Sequence, residues 1–384
     1  MLILLKAYKT EIDPSPEQVQ KIRKTIGVCR FVFNLFIETN QTRYSHQLPY
    51  MPAYDFSKYL NHAYMTANPD KQWIKSVSSK AVKKSITNAD AAFKKFFKKQ
   101  TNYPKFKKKN KSEPAMYFVN AGLHVKRHRI KIPTIGWVKL KEFGYIPTQG
   151  KFISGTITQK AGRYYVSVLM ETAPPELNSL SNPGLGIDMG VKNLAVVSDG
   201  HVFENINKSS RVKNLEKKLR REQRRLSRKY ESSKKSKKGN ATRQNIQKQQ
   251  LKIARIHHQL NCIRTDYENK VINTLVRTKP AYIALEDLNV SGMMKNRHLS
   301  KAIANQRFTQ FRTKLITKAK TFGIEIRLVD RWYASSKTCH NCGYVHQTLK
   351  LSDRTYVCPC CKFVIDRDMN AAMNIRDTNC YKPA

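Results

Sequence analysis

The chain has 384 residues, 40% of them hydrophobic, enough to build two or three domains with cores of their own, which excludes a disordered tail. Its 72 Lys and Arg outnumber 27 Asp and Glu for a net charge of +45, and a folded surface charged so heavily repels itself unless a polyanion covers it. Nucleic acid is therefore the expected partner: no run of about 18 apolar residues marks a membrane span, and "MLILLKAYKTEIDPSP" turns polar too soon for a signal peptide, so a cytoplasmic protein with no membrane partner is expected. Eight cysteines, five of them within 339–361, suit a metal site in a reducing compartment better than a disulfide scaffold.

Residues 1–9 read as a strand. "DPSPEQVQKIRKTIGVCRFVFNLFIE" then announces a helix, with Ser15 as N-cap, Pro16 in the first position and Gln18 closing a capping box. Val19, Ile22, Ile26, Cys29 and Phe33 recur at helical spacing as a core face rather than a cofactor site. A further helical pattern covers about 75–100 and runs into nine lysines and no acid between Lys94 and Lys111, interleaved with Phe96, Phe97, Tyr103 and Phe106. That mixture suits phosphate contact plus stacking; its plainer reading is a solvated face over core aromatics. Within 115–172, "RHRIKIP", "GWVKLKE", "FISGTITQ" and "RYYVSVLM" alternate between Gly and Pro breaks, as in a small antiparallel β-unit or barrel. "ETAPPELNSLSNPG" reads as a linker. From Lys208 to Arg264, 20 Lys or Arg accompany three Glu, while Val212, Leu215, Leu219 and Leu226, then Ile246, Ile253, Ile256, Leu260 and Ile263, keep a narrow apolar stripe. Two helices joined by "ESSKKSKKGN" would bury that stripe in a hairpin and offer cationic faces to a phosphate backbone.

Two apolar runs end in an acid. "LGIDMG" puts Asp188 in a stretch that reads as buried strand, where an unpaired carboxylate takes up a proton or finds a cation. "AYIALEDLNV" delivers Glu286 in the same way, and in "IDRDMNAAMNI" Asp366 and Asp368 begin a helix whose Ala371, Ala372 and Ile375 suit close packing on a sheet. Each has a plain account: a turn at Asp188, N-capping by the pair at 366 and 368, a structural role for Asp287 beside Glu286. Together they suggest a shared cation. Mg²⁺ or Mn²⁺ prefers oxygen ligands, and two such ions about 3.5–4 Å apart can activate a water and stabilise the leaving oxygen of a phosphodiester. Without metal the acids should repel one another and some of their pKa values should rise.

"CHNC" and "CPCC" give C-x-x-C, a 15-residue spacer, and C-x-x-C, through Cys339, Cys342, Cys358 and Cys361. Two knuckle turns and four thiolates close a tetrahedral Zn²⁺ site with no open position for substrate, so its role is structural. Cys360 is the alternative candidate for a ligand position; His340, His346, Cys29, Cys262 and Cys380 carry no evident chemistry.

"GIDMGVKNLAVVSDG", "LEDLNVSGMMKNRHLSKAI", "DRWYASSKTCHNCGYV", "LKLSDRTYVCPCC" and "DRDMNAAMNI", with the weaker "SPEQVQKIRKTIGVCRFVFN" and "YPKFKKK", resemble the transposon-encoded TnpB proteins, RNA-guided DNA nucleases akin to the type V CRISPR effectors. The resemblance spans nearly the whole chain and is most specific from 184 onward. It implies a multidomain α/β protein: a wedge-like β-barrel from 1–9 and 106–175, a helical recognition domain at 10–105, and a split RNase H-like (RuvC) nuclease domain at 184–334 and 363–379. A zinc ribbon for target nucleic acid would occupy 335–362, and 380–384 would be a C-terminal tail. The catalytic acids would be Asp188, bridging two Mg²⁺ (or Mn²⁺) ions, with Glu286 and Asp368, and Arg331 would help stabilise transition-state charge. The partners implied are a guide RNA from the transposon end and double-stranded target DNA, read beside a short flanking motif, and a monomer is expected. Competing expectations are a cleavage-deficient RNA-guided repressor, disfavoured by the three acids, and a strand-transfer transposase, disfavoured by the ribbon between Glu286 and Asp368. The one departure is Lys362, where a Gly commonly follows the last zinc cysteine.

Overall fold

The computed structural model describes residues 4–109, 113–173, 182–235, 240–350 and 352–384. Most of the expected linker, the centre of the joint at 231–240, the first three residues and Lys111 lie outside them. The chain divides into two compact units, 1–174 and 175–384.

The first unit opens with β1 (Leu4–Asp13) and α1 (Pro16–Ser45). The predicted capping box is present: Gln18 N donates to Ser15 Oγ at 3.3 Å, and Ser15 N donates to Gln18 Oε1 at 2.9 Å. Helices α2 (Ala53–Tyr59), α3 (Met65–Ala67) and α4 (Ser79–Phe97) follow, and Val32, Phe36, Phe56 and Phe93 meet in their core. Next come β2 (Ala115–Val119), β3 (His124–Lys126), β4 (Arg129–Ile132), β5 (Gly136–Leu140), β6 (Phe152–Lys160) and β7 (Arg163–Thr172). With β1 they form one antiparallel sheet in the order β2-β6-β7-β1-β5-β4-β3. Met116 and Val125, from the two outermost strands, share a single core with Ile22 and Ile26 of α1, so the sheet curls around one apolar centre.

The second unit holds β8 (Leu185–Asp188), β9 (Asn193–Val197) and β10 (Val202–Glu204), then the long helices α5 (Ser210–Lys235) and α6 (Asn240–Arg277). Val212, Ile256 and Leu260 zip α5 to α6 with Leu215, Leu219 and Ile263. Midway, the seam turns polar: Glu222 is 2% exposed and accepts from Gln249 Nε2 at 2.8 Å. Helix α6 runs 13 residues beyond the basic stretch, and there Val271, Ile272, Leu275 and Val276 enter the main core of the unit. Then come β11 (Tyr282–Glu286), α7 (Val290–Met293), α8 (Ser300–Gln306), α9 (Phe308–Thr321), β12 (Glu325–Val329), β13 (Thr355–Val357), β14 (Val364–Asp366), α10 (Arg367–Asp377) and β15 (Tyr381–Pro383).

The principal sheet has the order β10-β9-β8-β11-β12-β15, with β8, β11 and β12 parallel and the rest antiparallel to their neighbours. Residues 381–383, read from the sequence as a tail, instead form β15 against β12, because the edge of β12 offers unpaired backbone groups that Tyr381–Pro383 satisfy. One face of the sheet, with Ile187, Ile283, Leu285 and Ile326, packs on apolar residues of α6 and α9. The other receives α10, through Ala284, Val329 and Ile375. No helix among the described residues is long and apolar enough to cross a membrane.

Candidate active site

Strands β8 and β11 pair in the register Leu185 with Ile283, Gly186 with Ala284 and Ile187 with Leu285. One step further along both strands stand Asp188 and Glu286, at the carboxyl ends of neighbours about 4.8 Å apart. Alternation places both acids on the face of Gly186 and Ala284, opposite the core face of Ile187 and Leu285. Helix α10 lies on that acid-bearing face and comes extremely close: a Cβ on Gly186 would sit 2.0 Å from the Ala372 carbonyl oxygen and 2.5 Å from the Arg376 amide nitrogen. The missing side chain of Gly186 thus lets helix backbone touch strand, and Ala371, Ala372 and Ile375 are buried beside it.

This docking aims the first turn of α10 at the strand ends. Asp366 is the N-cap, accepting from the amides of Asp368 at 2.9 Å and Met369 at 3.1 Å. Asp366 thus spends its carboxylate on the helix terminus, while both Asp368 and, more weakly, Asp366 act on Asp188 through their charge. The pKa of Asp188 rises to about 8, chiefly through burial, then through the charges of Glu286 and Asp368, with Arg367 opposing. That of Glu286 is also raised by burial, against the hydroxyl of Ser335, which donates to its Oε1 at 2.7 Å. Glu286 and Asp368 each act on Asp188 through their charge, but among the described residues only the four cysteines form a group whose ligand atoms all lie within 4.8 Å of one another, so the three acids are not gathered to that closeness. Oxygen donors held in mutual repulsion are a donor set suited to a hard divalent cation.

Arg331 is 42% exposed and its guanidinium donates to Asp287 Oδ2 at 3.1 Å, beside the trio rather than within it. Asp287 also binds Arg312 and Lys382; burial pushes its pKa up, but these three cations outweigh it and hold the carboxyl low. Its structural reading from the sequence fits that role. Sequence reasoning missed the residues that tie the ribbon to the sheet. Asn374 Nδ2 donates to the carbonyls of Ser335 at 2.8 Å and Thr338 at 2.7 Å, and Asn370 Nδ2 donates to Thr338 O at 2.7 Å. Arg367, 7% exposed, donates to Lys350 O and Ser336 Oγ. An Asn pair four residues apart on a helix of alanines was the available signal.

The sulfurs of Cys339 and Cys361 are 3.6 Å apart, those of Cys342 and Cys358 3.5 Å, near the roughly 3.8 Å edge that a tetrahedron of 2.3 Å Zn–S bonds requires. Cys339 and Cys358 are buried, and exposed Cys360 stands outside the cluster. The Asn341 amide donates to Cys361 Sγ at 3.5 Å and, with the Phe363 backbone, lowers that thiol's pKa to about 6, favouring the thiolate. The two knuckles repeat one hydrogen-bond pattern: Gly343 N donates to Cys339 O at 2.9 Å and Lys362 N to Cys358 O at 3.1 Å. Both closing residues are left-handed, Gly343 at φ 74° and Lys362 at φ 60°. The second knuckle therefore keeps the turn of the first and bears the steric cost of a side chain.

The basic stretch at 94–109 is divided. Phe96 and Tyr103 meet edge to face at 5.2 Å, and Lys107 Nζ lies 3.6 Å from the Phe33 ring centre, so part of the stretch serves packing. Phe97 and Phe106 remain exposed.

A family model described as "Probable transposase" (OrfB of IS605) matches residues 166–297, and the Cas12f1-like TNB domain matches 308–375. A "Helix-turn-helix domain" model of the same family matches 1–48, where the structure has the single strand β1 and the single helix α1. An Escherichia coli (strain K12) protein described as "Putative RNA-guided DNA endonuclease InsQ" is 31% identical over 389 residues, covering 97% of this chain and 91% of its own length. The chain belongs to the IS605 OrfB/TnpB family. A Streptomyces pristinaespiralis relative, described as "Putative RNA-guided DNA endonuclease", is 29% identical and covers 96% of this TnpB-family chain and 88% of itself. The fold is a mixed α/β fold similar to that of Cas12f1 in a cryo-EM complex with guide RNA and target DNA, at a TM-score of 0.50 and 13% identity over 99% of this chain and 100% of that one.

Proposed function

We propose that this transposon-encoded protein is an RNA-guided DNA endonuclease that depends on divalent metal and hydrolyses phosphodiester bonds of target DNA beside a short flanking motif. Relatives that align along nearly the whole chain are described as putative RNA-guided DNA endonucleases. What supports the reading is that Asp188 and Glu286 close neighbouring strands of one sheet, and that burial, joined by the charges of Glu286 and Asp368, raises Asp188 to about 8. The order β10-β9-β8-β11-β12, antiparallel then parallel, supports an RNase H-like nuclease domain from 184–334 and 363–379, extended by β15. We assign 335–362 to a zinc ribbon for target nucleic acid, 1–9 with 106–175 to a wedge-like barrel, and 10–105 to a helical recognition domain.

Mg²⁺ or Mn²⁺ held by the three acids would supply Lewis-acid polarisation of the phosphate and a water acidic enough to attack. The protein does the rest. Asp188 and Glu286 are delivered by rigid strands, Ser335 fixes the Glu286 carboxylate, and Asp366 spends its own carboxylate on the helix cap so that Asp368 faces the site. Arg331, tethered through one nitrogen, retains donors for a phosphate oxygen where charge develops. Guide pairing supplies sequence, while the cationic faces of α5 and α6 and the exposed lysines near 94–109 grip backbone. Purified protein with co-expressed RNA, target duplex and Mg²⁺ tests this: Asp188→Ala should lose cleavage by at least about 10³-fold and still bind the duplex. Cutting by the variant, or none by the parent, refutes the reading.

A further inference from the structure

Trp332 is 87% exposed, more than any other large hydrophobic side chain among the described residues. Among the described residues no ring or cation packs on its indole, yet the backbone that carries it is tied down on both sides. Trp332 N donates to Asp330 Oδ1 at 2.8 Å, and Tyr333 N donates to Asp330 O at 3.1 Å, closing a tight turn. Before it, β12 ends at Val329, paired with Glu286, and Arg331 is bound to Asp287. After it, Tyr333 packs on Ala284, Val329 and Ile375, and Ser335 donates to Glu286. The turn is therefore anchored at two consecutive residues, 286 and 287, that close β11. Two residues lie between Trp332 and Ser335, so their Cα atoms are at most about 11 Å apart along the chain, or about three nucleotides of a DNA strand.

An indole presented to water from an anchored turn within that reach, with Arg331 and Lys382 on the same Asp287, has the make-up of a stacking platform for an unpaired base, since every base offers a π-face and the cations suit its phosphate. We propose that Trp332 stacks on a base of single-stranded DNA next to the scissile phosphate and so positions that strand over Asp188, Glu286 and Asp368. This rests on the nuclease reading. Trp332 is a positioning residue: it acts on the strand and takes no part in the bond changes.

The chain contains three tryptophans, so Trp73→Phe with Trp137→Phe leaves Trp332 as the only indole. In the guide-loaded protein its fluorescence should fall saturably on adding a single-stranded oligodeoxynucleotide, and an abasic oligonucleotide that binds equally by anisotropy should leave the emission unchanged. DNA bound with no quenching overturns the stacking. Trp332→Ala should lower the kcat of target cleavage about 5- to 150-fold, the worth of one stacked base, with duplex affinity and Tm unchanged, and Trp332→Phe should recover most of it. Cleavage at the parental rate by Trp332→Ala overturns the positioning. The quenching measurement needs no cleavage, so a protein that fails to cut, or an Asp188→Ala variant that does cut, defeats the nuclease reading alone.

Discussion

The four cysteines reach their cluster from two turns 15 residues apart, whereas Asp188, Glu286 and Asp368 stand 98 and 82 residues apart in sequence, on two paired strands and on a helix packed against the same sheet face. The cysteines arrive at close to the geometry of a bound ion, with sulfurs 3.5 and 3.6 Å apart in pairs and one thiol already acidic. Of the carboxylates, Asp188 is pushed to about 8, first by burial and then by the charges of Glu286 and Asp368. The contrast teaches that local spacing builds the cysteine cluster and tertiary packing the arrangement of the acids.

Substitutions can break this contrast at either end. The largest effect should come from Cys358→Ser, which leaves three thiolates: about one zinc per chain should be lost on metal analysis, along with most of the roughly 10 kcal/mol that such a site contributes to local folding. Retention of full zinc content would remove Cys358 from the ligand set. Next is Gly186→Ala, whose methyl meets backbone rather than a yielding side chain. It should cost about 3 kcal/mol in chemical denaturation and depress cleavage by separating Asp368 from the strand-borne acids, while zinc content stays whole. Undiminished cleavage would mean that α10 can withdraw without harm.

A subtler effect is the pH dependence of the metal-free protein. The folded pKa of Asp188 stands above its unfolded value of 3.8, so between about pH 4 and pH 8 the native state binds more protons than the unfolded one. Stability from this group is therefore full below that window and declines as pH rises through it. Asp188→Asn should flatten that part of the Tm curve, and saturating Mg²⁺ should oppose the decline in the parent only. Identical curves for parent and variant would place the repulsion elsewhere. The smallest effect belongs to Lys362→Gly, which removes a side chain from a left-handed turn and should stabilise the ribbon by about 0.5–1 kcal/mol. A loss of stability would show that the Lys362 Nζ bond to Pro359 O, at 3.1 Å, outweighs the strain.

What could be read from the sequence follows the same divide. The capping box at Ser15 and Gln18, the strands within 115–172 and the cysteine pairs are each written within a few residues, and each stands where its local chemistry puts it. The choice of Asp368 over Asp366 came from a family resemblance, because capping and metal binding favour the same residue type at the same place. Gly186 reads as an unremarkable strand glycine until the helix that presses on it is known. Buried Glu222 breaks the apolar stripe of the basic hairpin, and no periodicity foretells that Gln249 would satisfy it from the other helix. The strand at 381–383 was missed because a three-residue segment with a proline carries too little pattern to compete with a tail.

The ribbon is spliced between β12, whose last residue pairs with Glu286, and α10, which carries Asp368. Left open, the 37 residues from 330 to 366 would be a loose tether, and bringing its ends together would cost conformational entropy at each closing. The thiolate cluster shortens that tether, and Asn370, Asn374 and Arg367 fasten it to the helix. On the proposed reading, zinc at the four cysteines would thereby govern how often Asp368 is held beside the strand that carries Asp188, so loss of zinc should scatter the acids without touching any of them.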